Sequence, residues 1–126
     1  MRVLTDTQVL LWALLQPERL DAASRDVLES SEHQVFFSAV NIWEIAIKRA
    51  LGRRDFTAEP GPIRCAALDT GFSELAISGV HAAVVRQLPD HHRDPFDRLL
   101  IAQAKSEPLL LMTNDPLIAR YPVELV

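Results

Sequence analysis

Cysteine is almost missing from this chain: Cys65 is the only one in 126 residues. An intramolecular disulfide is therefore excluded, and a lone thiol fits a reducing compartment, so a cytoplasmic protein is expected. Long apolar runs are missing too. The longest near the N-terminus, Val9 to Leu15, falls far short of the about 20 residues that span a bilayer. It follows Asp6, with no basic leader and no small-residue cleavage site, so neither a membrane span nor a signal peptide is expected. Positive charge is not in excess. Thirteen Lys and Arg against 17 Asp and Glu leave a net charge of −4, which is not the footprint of a general nucleic-acid binder. Any nucleic-acid contact must come from a local patch, or from metal ions held by acids. There is no Gly-rich phosphate loop, which excludes a P-loop nucleotide hydrolase. There is no Gly-x-Ser-x-Gly elbow and no case for a Ser-His-Asp hydrolase. Internal repeats and low-complexity tracts are also lacking. One domain, 1–126, with one core is expected, and 48% hydrophobic residues are ample for it.

What is present centres on Asp94-Pro95-Phe96-Asp97-Arg98-Leu99-Leu100-Ile101-Ala102-Gln103-Ala104. Asp94 is placed as an N-cap, and Pro95 takes the first helical position, where a missing N–H costs nothing. Phe96, Leu99, Leu100 and Ala104 form an apolar stripe at helical spacing. Asp97 is then either the acidic partner in a capping box or a functional carboxylate.

The remaining elements alternate. Arg2 to Thr5 reads as a strand, followed by a helix from Asp6-Thr7 that Gln16-Pro17 breaks. A second helix opens at Asp21 or Ala22, and Val35 to Phe37 is the next strand. Ser38 caps a third helix, Ala39 to Leu51, closed by Gly52. Its buried stripe is expected to be Val40, Trp43, Ile47 and Leu51, with Glu44 on the edge and able to pair with Lys48 at i,i+4. A helix at Ile63 to Leu68, a strand at Leu75 to Ile77 and a helix capped by Ser78 come next. The apolar strand Leu109 to Met112 leads to Thr113-Asn114-Asp115-Pro116, where the strand, acid, proline and helix pattern recurs. Val123 to Val126 is a last short strand. His33 is isolated in a turn, and His91-His92 is a loop pair read as solvated.

Such alternation predicts a three-layer α/β/α sandwich with a mainly parallel sheet. Ligands bind at the carboxyl edge of such sheets, where helix N-termini gather. Asp6, Glu44, Asp97 and Asp115 all fall at that edge. Capping explains three of them separately, but not Glu44. Four neighbouring acids repel, so some stay protonated or a divalent cation enters. All-oxygen ligands suit Mg²⁺ or Mn²⁺ better than zinc, and no Cys/His ligand pattern competes. One or two such cations on carboxylates are apparatus for phosphodiester hydrolysis.

The sequence resembles the PIN-domain proteins, and among them the VapC-type toxins of toxin–antitoxin pairs. The resemblance is carried by Leu4-Thr5-Asp6-Thr7-Gln8-Val9-Leu10-Leu11-Trp12, by the run from Ser38 through Asn41 and Glu44 to Lys48, by His92 to Ala104, and by Leu111-Met112-Thr113-Asn114-Asp115. Each segment is weak alone; four in family order are specific. The resemblance implies a Mg²⁺- or Mn²⁺-dependent ribonuclease acting on RNA. It also implies inhibition by a VapB-like antitoxin from a neighbouring gene, and a homodimer. Asp6, Glu44 and Asp97 match the family's metal-binding acids, and Asp115 the fourth. Thr7 and Thr113 match polar positions that support the site through their hydroxyls, and Asp94 matches a capping or supporting position. Thr5 and Gln8 depart from the family's usual residues, and neither is expected to touch the acids. Arg98, with Arg53, Arg54 and Arg93, could contact phosphates or be solvated surface arginines.

Two other readings compete. A phospho-acceptor domain would want paired acids after the first strand and a late lysine; Asp6 is alone and no lysine follows Lys105. A catalytically inactive PIN-like binding module would act only through a protein partner.

Overall fold

The computed structural model describes every residue except Arg53, Asp55 and His92. The expectations placed on Arg53 and His92 therefore lie outside the described residues. Four strands, β1 (Arg2–Thr5), β2 (Gln34–Ser38), β3 (Ser73–Leu75) and β4 (Leu110–Met112), form one sheet in the order β3-β2-β1-β4. Every pairing between these strands is parallel. The first and last strands in sequence are thus neighbours, with Leu4 opposite Leu111 and Thr5 opposite Met112.

Both faces of the sheet are covered, which is why its central strands read as continuous apolar runs. Successive side chains point to opposite faces. Leu4 and Phe36 pack on one side with Leu100 and Ile101 of helix α6 (Pro95–Ser106), beside Val84 of α5 (Gly79–Val84). Val35 and Phe37 face the other side. There they meet Leu10 of α1 (Thr7–Leu15), Ile45 of α3 (Ala39–Ala50), and Ile63 and Ala67 of α4 (Pro60–Thr70). Val3 and Val9 join Leu20 on this side, with Val27 and Leu28 of α2 (Ala22–Glu29) against them. The result is the three-layer α/β/α sandwich with a parallel sheet. Among the described residues no helix is long and apolar enough to cross a membrane.

Four local expectations need correction. On α3 the buried residues are Val40, Asn41, Glu44 and Ile45. Trp43, Ile47 and Leu51 are 49%, 42% and 68% exposed, so the stripe is rotated by about one position. Hydrophobic periodicity placed it wrongly because two of the buried positions are polar and are satisfied by hydrogen bonds. Strand β3 begins at Ser73, two residues before the expected Leu75. Gly71, at φ 100°, ends α4 abruptly, and Phe72 drops into the core, so pairing starts at once. After Asp115 there is a turn and one short 3₁₀ segment, Ile118–Arg120, where a helix was expected. Pro122 disfavours a helical Tyr121, which stops it. The last strand reduces to a single parallel bridge, Leu111 to Leu125. The Val123 N–H bonds locally to the Tyr121 carbonyl at 2.8 Å and is lost to the ladder.

The rotated stripe makes a direct test. Ile45→Ala should cost about 2–5 kcal/mol in urea unfolding. Leu51→Ala should stay within about 0.5 kcal/mol. Equal costs would restore the stripe expected from periodicity.

Candidate active site

The carboxyl edge of β1 delivers the first acid. Asp6 follows the strand, and its N–H donates to Met112 of β4 at 3.1 Å, which ties it to the neighbouring strand. It caps α1: Oδ1 accepts from the Val9 N–H at 2.8 Å. Its other oxygen, Oδ2, accepts from the Thr113 hydroxyl at 2.5 Å, just past the end of β4. Glu44 is set one turn and a half into α3 and is only 4% exposed. Its Oε1 accepts from the Thr7 hydroxyl at 2.6 Å, and its Oε2 pairs with the Lys48 ammonium at 2.6 Å. The i,i+4 pair is therefore real, but its acid is inside the protein, where removing a partner is costly.

Helix α6 supplies two more. Asp94 Oδ1 accepts from the N–H groups of Phe96 at 2.9 Å and Asp97 at 3.2 Å, which is the expected cap. Asp97 lies half-buried in the first turn, where the helix dipole favours negative charge. Asp115 stands in the turn after β4: its N–H donates to Thr113 Oγ1 at 3.0 Å, and its Oδ1 accepts from the Leu117 N–H at 2.9 Å. Thr113 thus joins Asp6 and Asp115 through one hydroxyl.

These elements enclose a pocket of about 350 Å³ lined by Asp6, Thr7, Glu44, Asp94, Asp97 and Asp115, with Lys48 as its cation among the described residues. Gln8 lines it too, and the Thr5 hydroxyl donates to the Phe36 carbonyl inside the sheet at 3.4 Å. Arg98 does not line it. Its guanidinium donates to the carbonyls of Pro89 and Val85 at 2.8 and 3.2 Å, and to the Tyr121 hydroxyl at 3.1 Å. It braces α6 against the preceding segment. Arg54 and Arg93 are exposed.

Burial pushes the Asp6 carboxyl above its ordinary value of 3.8. Hydrogen bonds from Thr113 and Val9 oppose the shift, while the charges of Glu44 and Asp115 add to it. The acids therefore feel one another across the pocket. Their all-oxygen chemistry suits a hard divalent cation. Among the described residues, however, no group of three or more His, Cys, Asp and Glu side chains is gathered closely enough to hold an ion. The bonds explain this in part: both oxygens of Asp6 and both of Glu44 are already turned onto donors of the protein itself.

The PIN domain family model matches residues 3–124. The chain belongs to the PIN domain family. Two solved structures show the same fold. A chain of VapBC2 from Rickettsia felis, solved bound to a DNA fragment from its promoter, superposes with a TM-score of 0.71 at 14% identity. That match covers 99% of this chain and 96% of the other. A chain of FitAcB from Neisseria gonorrhoeae gives a TM-score of 0.61 at 20% identity, covering 98% and 95%. No curated protein matches the chain significantly.

Behind the PIN pocket runs a buried polar chain that the sequence did not announce. Ser38 caps α3, and its hydroxyl donates to Gln103 of α6 at 2.5 Å. Gln103 in turn donates to the Ala76 carbonyl at 3.3 Å and contacts His81 Nδ1 at 3.3 Å. His81 Nδ1 accepts from the Ser78 N–H at 3.1 Å, so the ring proton sits on Nε2, facing Glu107 at 2.6 Å. The Ser38-x-x-Asn41 and Ser78-x-x-His81 spacings were the available signals, since a polar residue at the third helical position can reach back to the cap. Gln103 gave none.

Asp6 sets a pH dependence. An acid whose pKa is raised on folding stabilises the folded state below the unfolded value, and that contribution is lost as pH rises through the folded value. Asp6→Asn has no such loss. In EDTA, its stability relative to the wild type should climb as pH rises from about 4 to about 7. Urea melts across that range check it; a flat difference contradicts the raised pKa.

Proposed function

We propose that this PIN-domain chain is a Mg²⁺-dependent ribonuclease of the VapC toxin type, with Mn²⁺ able to substitute. The observation that carries the proposal is the pocket in which five carboxylates from β1, α3, α6 and the turn after β4 share one lining. Asp6, Glu44, Asp97 and Asp115 would hold the ion, whose chemistry is activation of water and relief of charge at a phosphodiester. Thr7 orients Glu44, and Thr113 orients Asp6 and the Asp115 turn. Asp94 fixes the first turn of α6 and with it the position of Asp97. Lys48 neutralises Glu44 until a cation is present. It is 35% exposed, so its side chain has room to swing toward solvent.

The toxin assignment draws on the fold shared with chains of VapBC2 and FitAcB. It includes a VapB-like antitoxin that offers an arginine or lysine to the acids, a homodimeric state, and a cytoplasmic setting. A second reading is favoured by a specific observation: among the described residues no three-ligand group is formed. On that reading the chain is a PIN-like binding module without catalysis, and the Glu44–Lys48 pair is its permanent state.

Asp97→Asn separates the two. On the ribonuclease reading it abolishes calorimetric Mn²⁺ binding and RNA cleavage together, while metal-free stability holds or rises. Asp94→Ala costs about 1 kcal/mol of stability, and cleavage survives. Products should carry 5′-phosphate and 3′-hydroxyl ends. Cleavage that resists EDTA refutes the metal-dependent mechanism. A wild type that binds no Mn²⁺ and cuts no RNA leaves the binding module.

A further inference from the structure

Glu44 reaches the pocket through a hydrogen-bond chain whose direction is fixed by the backbone. Asn41, at the third position of α3, is fully buried. Its Oδ1 accepts from the Ser38 N–H at 2.6 Å. A backbone N–H can only donate, so this bond settles which end of the amide is oxygen. The amide nitrogen of Asn41 therefore faces Thr7 Oγ1, at 3.0 Å, and donates to it. Thr7 has one proton. Of its two partners, Asn41 is a donor, so that proton goes to Glu44 Oε1 at 2.6 Å.

We propose that Asn41 is a positioning residue for the acidic pocket. By donating to Thr7 it obliges the Thr7 hydroxyl to donate to Glu44, and so holds the Glu44 carboxylate in the lining. Without Asn41 the hydroxyl is free to turn toward other acceptors, and Oε1 loses a buried donor. Nothing in the α3 backbone does this instead, because Glu44 is beyond the reach of the cap. The role deepens the ribonuclease proposal by naming what orders one of its acids, yet it is stated for the metal-free protein and can be tested there.

The test is a double-mutant cycle between Asn41→Ala and Thr7→Val, read by the side-chain carboxyl ¹³C resonance of Glu44 in EDTA. Thr7→Val should shift that resonance. Asn41→Ala should shift it with Thr7 present, and add nothing in the Thr7→Val background. A second readout is Mn²⁺ affinity, which should fall about tenfold on Asn41→Ala with Thr7 present and less than about twofold without it. Urea melts record stability separately. If Asn41→Ala does not fold, Asn41→Asp keeps an acceptor for the Ser38 N–H and lacks the donor. Its added charge acts in both Thr7 backgrounds and cancels in the cycle. An unmoved Glu44 resonance, or one moved as far without Thr7 as with it, makes Asn41 a helix cap only and overturns the inference. If the wild type neither binds Mn²⁺ nor cuts RNA, the ribonuclease proposal falls and the metal-free resonances still decide the role of Asn41.

Discussion

Two carboxylates, Asp6 and Glu44, are taken out of water at the end of the sheet, and much of the surrounding structure answers the cost of putting them there. A buried carboxylate without donors would protonate or unfold its surroundings. Each has therefore drawn donors from a different part of the chain. Asp6 takes a backbone N–H from its own helix and a hydroxyl from beyond β4. Glu44 takes a hydroxyl from the start of α1 and an ammonium from the next turn of α3. The donors also bind the elements to each other. Thr7 joins α1 to α3, Thr113 joins the turn after β4 to the end of β1, and Ser38 with Gln103 joins α3 to α6.

This arrangement depends on the parallel sheet. With all four strands parallel, the chain emerges four times at one edge, and each time a short polar residue or acid caps the next helix or turn. Apolar packing on both faces holds those exits in register, and the polar contacts then choose side-chain orientation. The apolar core sets where the acids are; the hydrogen bonds set where they point.

Most of the fold was legible in the sequence because its signals are local. Asp6, Asp21, Ser38, Ser78 and Asp94 each cap a helix where the spacing placed one. The illegible part involved satisfaction at a distance. Asn41 and Gln103 look like surface residues until Thr7, Ser38 and His81 are brought to them, and no window of sequence contains both partners. The same blindness misplaced the buried face of α3. Trp43 was expected inside, yet it lies half exposed with its ring edge-on to Phe96 at 4.9 Å. Asp6, Asp97 and Asp115 drew notice because they stand just after strands or at a helix start, and Glu44, in the second turn of α3, because capping does not explain it. Their hydroxyl donors, Thr7 and Thr113, carry no periodic mark and were named only through the family resemblance. The bonds of Arg98 to Pro89, Val85 and Tyr121 were hidden for a related reason: position in sequence says little about direction when successive helical residues diverge by about 100°.

The pairing of β1 with β4 has a consequence for the order of events during synthesis. Thr113 and Asp6 are separated by 107 positions, and the strands that bring them together are the first and the last of the sheet. Contacts this distant close late, since the loop entropy between them must be met first. While the chain is still emerging from the ribosome, β1 has β2 for a neighbour on one side and an open edge on the other. The pocket has at that stage neither Thr113 nor Asp115, and it gains both only after β4 has left the tunnel. A chain stalled or cut short before that strand therefore carries Asp6 and Glu44 without the wall that completes their enclosure. Whatever the pocket does in the folded protein, the nascent one is spared it until β4 has emerged.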